Sequence, residues 1–248
     1  MLLPYADEAP REGPPPAVTW ALIAANLAVF LLWGGRPDYE EFVQRWGFVP
    51  ARASLGTALA SLFLHANLLH LAGNLWFLHI FGDNVEARLG PVRFLSGYLL
   101  AGLCGAFSHY AVFSTSSIPS IGASGAIFGV MGMYMFLFPR NRVKFFYFFF
   151  ILMGTFHLSA AWAIGYFFLS ELLLSYFSLA LWLESGIGHL AHAGGFASGF
   201  VLAAVLLRLG LIRDDRRHLW AVLSGTAPPP RADAGPPEAS AHSTRRIE

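Results

Sequence analysis

Residues 121–129 read IGASGAIFG and open an apolar run that extends to residue 138. Three glycines, Gly122, Gly125 and Gly129, surround a single serine, Ser124, and the run contains no charged residue. Small residues at this spacing are typical of membrane helices that pack closely, with the serine as an interhelical hydrogen-bonding group. The pattern also suits a nucleophilic serine at a helix start, where free backbone N–H groups can bind an oxyanion. A base and further donors at the same depth would favour the second interpretation.

The composition indicates that the chain lies in a membrane. Hydrophobic residues make up 56% of the 248 and charged residues only 12%, about half of the roughly 25% found in soluble domains. Such a chain has too little polar surface to cover its core in water. The net charge of +1 gives no basis for nucleic-acid binding, and a single cysteine, Cys104, cannot form a disulfide within the chain. We therefore predict an all-α polytopic membrane protein.

Apolar segments predict six transmembrane helices within residues 17–209. They cover residues 17–33, 57–81, 94–112, 121–138, 158–177 and 188–209. Residues 145–156 are apolar but too short to cross, so they are predicted to lie at the membrane interface or to extend a helix.

The flanking and connecting segments are polar. Residues 1–16 are predicted to form a short solvated cytoplasmic arm, and residues 82–93 a polar loop. Residues 210–248 are predicted to form a cytoplasmic tail that is largely disordered, because its end is rich in proline, alanine and serine.

Lysine and arginine are concentrated in alternate connections between the predicted spans. The basic residues on this side are Arg88, Arg93, Arg140, Arg142, Lys144, Arg208, Arg213, Arg216 and Arg217. Because basic loops stay on the cytoplasmic side, this distribution predicts that both termini are cytoplasmic. The fourth and sixth spans then begin on the same, outer side, and the polar face of the second span lies at a comparable depth.

Several polar side chains lie within these spans, where they are costly and usually face the bundle interior. His70 and Asn74 are four residues apart and share one helix face, and the residues alone leave open whether that face is functional or structural. His65 lies about 140° away from His70 around the helix and is interpreted as an interior histidine. Glu171, in the fifth span, is predicted to make a polar contact with another helix.

Two histidines, His189 and His192, open the sixth span, and Gly195 and Gly199 follow at a spacing that admits a close helix neighbour. A neutral imidazole can take the proton of a serine and make it nucleophilic. No carboxylate lies in an evident register with His192, so the pattern predicts a serine–histidine dyad rather than a triad.

Three motifs, in their order along the chain, resemble the rhomboid intramembrane serine proteases, specifically the six-span bacterial type. They are HANLLHLAGN at residues 65–74, GASGAIFG at residues 122–129 and AHAGGFASG at residues 191–199. The resemblance covers residues 17–209 and implies a six-transmembrane-helix rhomboid-like bundle. It also implies an endopeptidase that hydrolyses peptide bonds in or near transmembrane segments of membrane proteins.

The family pattern assigns roles to single positions. It implies that Ser124 is the nucleophile and that His192 is the general base, because glycines follow His192 at three and seven residues whereas His189 lacks that register. His70, Asn74 and Gly122 match the positions that stabilise the oxyanion. Phe128 stands where some members carry a tyrosine packed on the catalytic imidazole, and it can stack but not hydrogen-bond.

The resemblance also implies the setting of the protein. It implies single-span membrane protein substrates, a bacterial inner membrane, and no cofactor or metal, and it leaves the oligomeric state open. An alternative is a catalytically inactive rhomboid-like protein that binds membrane clients, and this alternative would be favoured by loss of either dyad residue. A transporter would be favoured by internal repeats in the two halves, which the sequence lacks.

Overall fold

The computed structural model describes residues 2–8, 14–149, 152–181 and 188–229. Helices dominate this part of the chain, and a small sheet accompanies them. In chain order the elements are β1 (Leu2–Asp7), α1 (Ala17–Trp33), α2 (Tyr39–Trp46), α3 (Leu55–Ala60), α4 (Leu68–Leu89), α5 (Pro91–Phe113), α6 (Ser124–Leu137), β2 (Arg142–Phe149), β3 (Leu152–Ser159), α7 (Ala160–Ala180), α8 (His189–Arg208) and α9 (Leu219–Leu223).

Helix α6 forms the centre of the bundle. Nearly all of its side chains are buried, and it packs against α4, α5 and α8. Among the described residues, α7 and α8 are each long and apolar enough to cross a membrane, and α3 with α4 forms a third, bent candidate. Helices α1 and α6 are apolar but shorter. The count of six spans therefore stays a prediction.

The predicted second span, residues 57–81, is not one straight helix. Helix α3 runs into a 3₁₀ turn, Ser61–Phe63, the chain extends, and α4 leaves at an angle of 92°. Asn67 begins the new helix, because its side-chain oxygen accepts a hydrogen bond from the backbone N–H of His70 at 2.8 Å. The break is held from outside by Tyr39, whose hydroxyl donates to the carbonyl of His65 at 2.8 Å.

The predicted polar loop at residues 82–93 is wrong. Helix α4 continues through it to Leu89, and α5 begins at Pro91. The link is Gly90, with a φ of +80°, which a residue with a side chain rarely adopts. Proline fits the first turn of a helix, where its missing N–H has no partner to lose. The two residues together turn the chain within one position.

The polar side chains of this region are buried partners rather than loop residues. Glu86 is 4% exposed and accepts hydrogen bonds from the backbone N–H groups of Val18 and Thr19, at 2.9 and 2.7 Å. It therefore satisfies the free donors at the start of α1, where Pro16 gives no side-chain cap. Arg88 forms a two-pronged ion pair with Asp215, which ties the segment after α8 to the end of α4.

The prediction of an all-α fold is wrong, because the protein also contains three strands. They form an antiparallel sheet in the order β1-β2-β3. The predicted solvated arm supplies β1, and the segment predicted as interfacial or helical, residues 145–156, lies mostly in the β2–β3 hairpin. The period of two at the start of β2 explains the strand: Val143 and Phe145 are buried, whereas Arg142 and Lys144 point outward. Glu8 lies 3.5 Å from Lys144 and 3.2 Å from His157, which fastens β1 to the hairpin.

The predicted tail is ordered at its start. Ile212 is buried, and Trp220 of α9 packs edge-on against Phe136 of α6, with ring centroids 5.1 Å apart. Residues 230–248, the region richest in the predicted disorder signal, lie outside the described residues. The remaining domain boundaries stay predictions.

Asp7, at the end of β1, is a half-buried carboxyl of this sheet. It accepts hydrogen bonds from the side-chain amide of Asn84, at 2.8 Å, and from the hydroxyl of Tyr134. Burial raises its pKa to about 7, and the neighbouring charge of Asp83 acts in the same direction. The folded protein therefore holds this proton at pH values where an unfolded chain would release it.

This shift predicts a pH-dependent stability. Between about pH 4, where an unfolded aspartate loses its proton, and about pH 7, the native state binds more protons, so raising the pH destabilises it. In detergent micelles, the melting temperature of the wild type should therefore fall more steeply from pH 5 to pH 8 than that of Asp7→Asn. Parallel pH curves for the two proteins would contradict the assignment.

Candidate active site

Ser124 occupies the first position of α6. Gly122 precedes it with a φ of +126°, a conformation that side chains disfavour, and its N–H donates to the carbonyl of Ser61 at 2.9 Å. The 3₁₀ turn before the break in the second span thus anchors the backbone just ahead of the serine. The first N–H groups of α6 have no intrahelical partner by geometry, and free N–H groups at a helix start can bind a negatively charged oxygen.

The loop ahead of Ser124 is fixed from its other side by the segment after α2. Phe48 and Ser120 exchange two backbone hydrogen bonds, at 3.0 and 2.8 Å, in an isolated antiparallel bridge. The N–H of Ala51 also donates to the carbonyl of Ser116 at 2.9 Å. The connection between α1 and α3 is therefore part of the wall of the site.

Glycines bring the backbones of α6 and α8 into contact. Added side-chain carbons at Gly195 and Gly199 would overlap the carbonyl oxygens of Gly125 and Gly129, and one at Gly129 would lie 3.1 Å from the carbonyl oxygen of Gly195. The glycines predicted to allow close packing therefore meet each other directly. This contact sets the depth of α8 relative to the start of α6.

The same contact brings Ser124 and His192 together. The distance from the Ser124 hydroxyl oxygen to the His192 Nε2 is 2.7 Å, which is hydrogen-bond distance. Phe128, one turn after the serine, stacks on the imidazole with ring centroids 4.5 Å apart and planes at 9°. The phenyl ring thus fixes the plane of the imidazole, as its position in the sequence predicts.

Glu171 of α7 completes the surroundings of His192. Its Oε2 lies 2.7 Å from the Nδ1 of His189 and 3.0 Å from the Nδ1 of His192. The first contact is a hydrogen bond; the second is an ion-pair distance without hydrogen-bond alignment, since His192 Nδ1 has no hydrogen-bond partner among the described residues. The predicted polar contact of Glu171 with another helix is confirmed. The register with His192 was missed, because it depends on how α7 and α8 pack.

The predicted oxyanion residues lie on α4. The His70 ring packs against Gly122, where an added Cβ would lie 2.8 Å from Cε1 and 2.9 Å from Nε2 of the ring, and 3.7 Å from the Ser124 hydroxyl. Asn74 is 7% exposed, and its side-chain N–H₂ group has no hydrogen-bond partner within the described residues. Among the described residues, the Asn74 amide is therefore an unused donor, and the His70 ring lies beside the glycine that precedes Ser124 by two residues.

His65 lies behind this face, in the break between α3 and α4. It is 1% exposed, and its ring stands edge-on to that of His70 with centroids 5.1 Å apart. This position fits the predicted interior histidine, and its ring supports that of His70.

A small cavity of about 30 Å³ lies beside Ser124. Backbone and small side chains of Ser61, Ser120, Gly122 and Ala191 line it. This volume exceeds the roughly 10–15 Å³ that a single water needs. A hydrolytic reaction at Ser124 would have room for its water next to the hydroxyl.

One group of side chains in the described part of the chain has a metal-ligand pattern. The ligand atoms of Glu171, His189 and His192 lie within 4.8 Å of one another. Two histidines and a carboxylate form a set that can bind zinc. Without an ion, Glu171 is already hydrogen-bonded to His189 and lies at ion-pair distance from His192.

Fold and site together define a membrane-embedded helical bundle with a serine–histidine pair at the start of two packed helices. The Rhomboid domain family matches residues 52–209, which is more than half of the chain. The chain belongs to the rhomboid family.

Individual relatives support the same family. The chain is 33% identical over 143 residues to Rhomboid protein 1, mitochondrial, of Saccharomyces cerevisiae, covering 54% of this chain and 40% of that one. It is 34% identical over 136 residues to Rhomboid protease GluP of Bacillus subtilis, covering 52% and 26%. It is 27% identical over 203 residues to Putative rhomboid protease YdcA of the same species, covering 82% and 87%.

The first two of these matches span less than half of each relative's length. The relatives include bacterial and mitochondrial proteins, so the similarity shows an integral membrane protein and does not select the bacterial inner membrane.

The close contact between the backbones of α6 and α8 predicts that a single methyl group added at Gly199 destabilises the protein. Gly199→Ala would place a carbon against the Gly129 carbonyl and push the two helices apart, so we expect a loss of about 2–3 kcal/mol or more of stability. Gly165→Ala in α7 is the matched control, because its nearest neighbour would be at an ordinary 3.9 Å. Thermal unfolding in micelles measures both, and equal melting temperatures would contradict the prediction.

Proposed function

We propose that this protein is an intramembrane serine endopeptidase in which Ser124 is the nucleophile and His192 the general base. The observation that carries the proposal is the 2.7 Å distance between the Ser124 hydroxyl and the His192 Nε2. Membership of the rhomboid family supports it independently of that geometry.

The reaction follows from the roles of the two groups. His192 takes the hydroxyl proton as the Ser124 oxygen attacks the carbonyl carbon of the scissile peptide bond. The resulting imidazolium gives the proton to the leaving amine, and an acyl-enzyme remains on Ser124. Water then attacks the ester with His192 again as base, which releases the second product and restores the hydroxyl. The cavity beside Ser124 offers a place for that water.

The developing oxyanion needs donors that are already in place. We assign this role to the side chains of His70 and Asn74 and to the backbone N–H groups at the start of α6. The packing of His70 on Gly122 and the unused amide of Asn74 support the assignment. Donors fixed in a water-poor site stabilise a transition state without having to reorganise.

The setting of the reaction follows from the family and the charge pattern. We propose six spans, both termini on the side rich in lysine and arginine, and single-span membrane proteins as substrates. Membership of the rhomboid family supports this substrate class. A peptide bond in a substrate helix must leave that helix to reach Ser124.

A catalytically inactive client-binding protein is the alternative. It would have no need for a serine and a histidine at hydrogen-bond distance, or for an unsatisfied amide on the facing helix. The endopeptidase accounts for both features, so we prefer it.

The dyad predicts non-additive losses. Ser124→Ala, His192→Ala and the double variant should all reduce cleavage of a single-span substrate in proteoliposomes to the same near-zero level, because either change removes the covalent route. Ser170→Ala and His157→Ala are matched controls outside the site, and we expect wild-type rates from both. A Ser124→Ala variant that still cleaves would contradict the nucleophile assignment.

The oxyanion assignment predicts a loss in turnover. His70→Ala and Asn74→Ala should each lower kcat by about 10²–10³ with a smaller change in KM, because the lost donor acts mainly in the transition state. Melting temperatures of the same samples control for folding. Full turnover in the double variant would show that this face of α4 is structural.

A further inference from the structure

Glu171 is the one carboxylate in α7, and the dyad does not use it. Its side chain is 14% exposed, and those of His189 and His192 are 13% and 12% exposed. All three are thus largely withdrawn from solvent, on two helices that pack against each other. A carboxylate inside a membrane bundle is expensive and is rarely retained without a function.

We propose that Glu171 is a positioning residue for catalysis, which orients the His192 imidazole and stabilises the imidazolium that forms during peptide hydrolysis. The inference rests on the proposed function and deepens it. It adds a carboxylate to the Ser124–His192 dyad, so that contacts link Ser124 of α6, His192 of α8 and Glu171 of α7.

The first step of the argument is the tautomer. A neutral imidazole carries one proton, and His192 can act as base only when Nε2, which faces Ser124, is free of it. The proton must then lie on Nδ1. That atom is buried, and Glu171 Oε2 lies 3.0 Å from it. The contact lacks hydrogen-bond alignment, but the negative charge of the carboxylate favours a proton on the nearer nitrogen, Nδ1, which is the tautomer that catalysis needs.

The second step is charge. When His192 takes the Ser124 proton, a cation forms within 3.0 Å of the carboxylate. In a site of low dielectric constant the attraction between the two charges is much stronger than in water. It stabilises the state after proton transfer more than the state before it, which is the condition for faster catalysis.

The third step is the division of labour around the ring. Phe128 stacks on the imidazole and fixes its plane, but stacking does not decide which nitrogen faces Ser124. Glu171 lies beside Nδ1 at the edge of the ring, so its charge favours the orientation in which Nε2 faces Ser124. His189 donates to the same Oε2 at 2.7 Å, so it holds the carboxylate in place beside His192.

The competing explanation is structural: the His189 bond alone would satisfy the carboxylate and fasten α7 to α8, and the nearness of His192 would be incidental. The two explanations differ in what a neutral residue of the same shape does. Glu171→Gln keeps the volume and one oxygen that can accept the His189 hydrogen bond, and it removes the charge.

The experiment uses the full chain in proteoliposomes. Wild type, Glu171→Gln, Glu171→Asp, Ser124→Ala and the α7 control Ser170→Ala are compared for kcat and KM on a single-span substrate. A fluorophosphonate probe measures the rate of labelling at Ser124 without a peptide. Rates are expressed per folded protein, which is determined by thermal unfolding of each sample.

We expect Glu171→Gln to lower kcat and the labelling rate together by about 10–100-fold, with KM within about twofold of the wild type. Glu171→Asp should recover part of the rate, because it restores the charge at a longer distance. A fall in melting temperature with unchanged rates per folded protein would overturn the inference and favour the structural explanation.

Selective ¹⁵N labelling of histidine gives a readout that a structural role would not move. The His192 resonances, assigned by comparison with His192→Ala, should show a protonated Nδ1 in the wild type and a shift toward the other tautomer in Glu171→Gln. If wild type and Glu171→Gln showed the same His192 tautomer and the same rates, the inference would be overturned and the proposed function would stand. Failure of the wild type both to cleave and to label at Ser124 would overturn the proposed function, and the inference with it.

Discussion

The backbone contact between α6 and α8 is the constraint on which the site depends. Gly125 and Gly129 meet Gly195 and Gly199 with no side chain between them, so the two helices can slide or separate only by losing packing along their shared length. This contact determines the distance between a serine at the start of one helix and a histidine at the start of the other. A hydrogen bond of 2.7 Å across two helices is thus a consequence of residues that carry no chemistry of their own.

A second constraint is irregular backbone at the site. The break between α3 and α4 gives the Ser61 carbonyl to Gly122, and the bridge between Phe48 and Ser120 holds the loop that leads to Ser124. Backbone of this kind is stable at membrane depth only where protein covers it and its polar groups are paired. The connection after α1 and the bent second span provide that cover, which explains why segments far apart in the chain converge on one serine.

The sequence predicted the parts that depend on local pattern. The first span, Ala17–Trp33, has the predicted bounds, and the glycine and histidine spacings predicted which faces of α6 and α8 meet. The aromatic run at residues 145–156 hid a strand pair, because a continuous apolar stretch lacks the period that separates a strand from a helix. The contact of Glu171 with another helix was predicted, but its register with His192 was not. That register depends on the packing of two helices, which no spacing within one chain segment specifies.

The sheet has a consequence for the order in which the protein is made. Strand β1 is made before α1, α4, α5 and α6, yet it pairs with β2, which follows them in the chain. Until β2 emerges, the backbone of β1 has no partner strand. Until α6 has been made, Asp7 also lacks the hydroxyl of Tyr134. Strand β1 is therefore made well before it can reach its final place. The sheet can therefore close only after α6, the central helix, has been made.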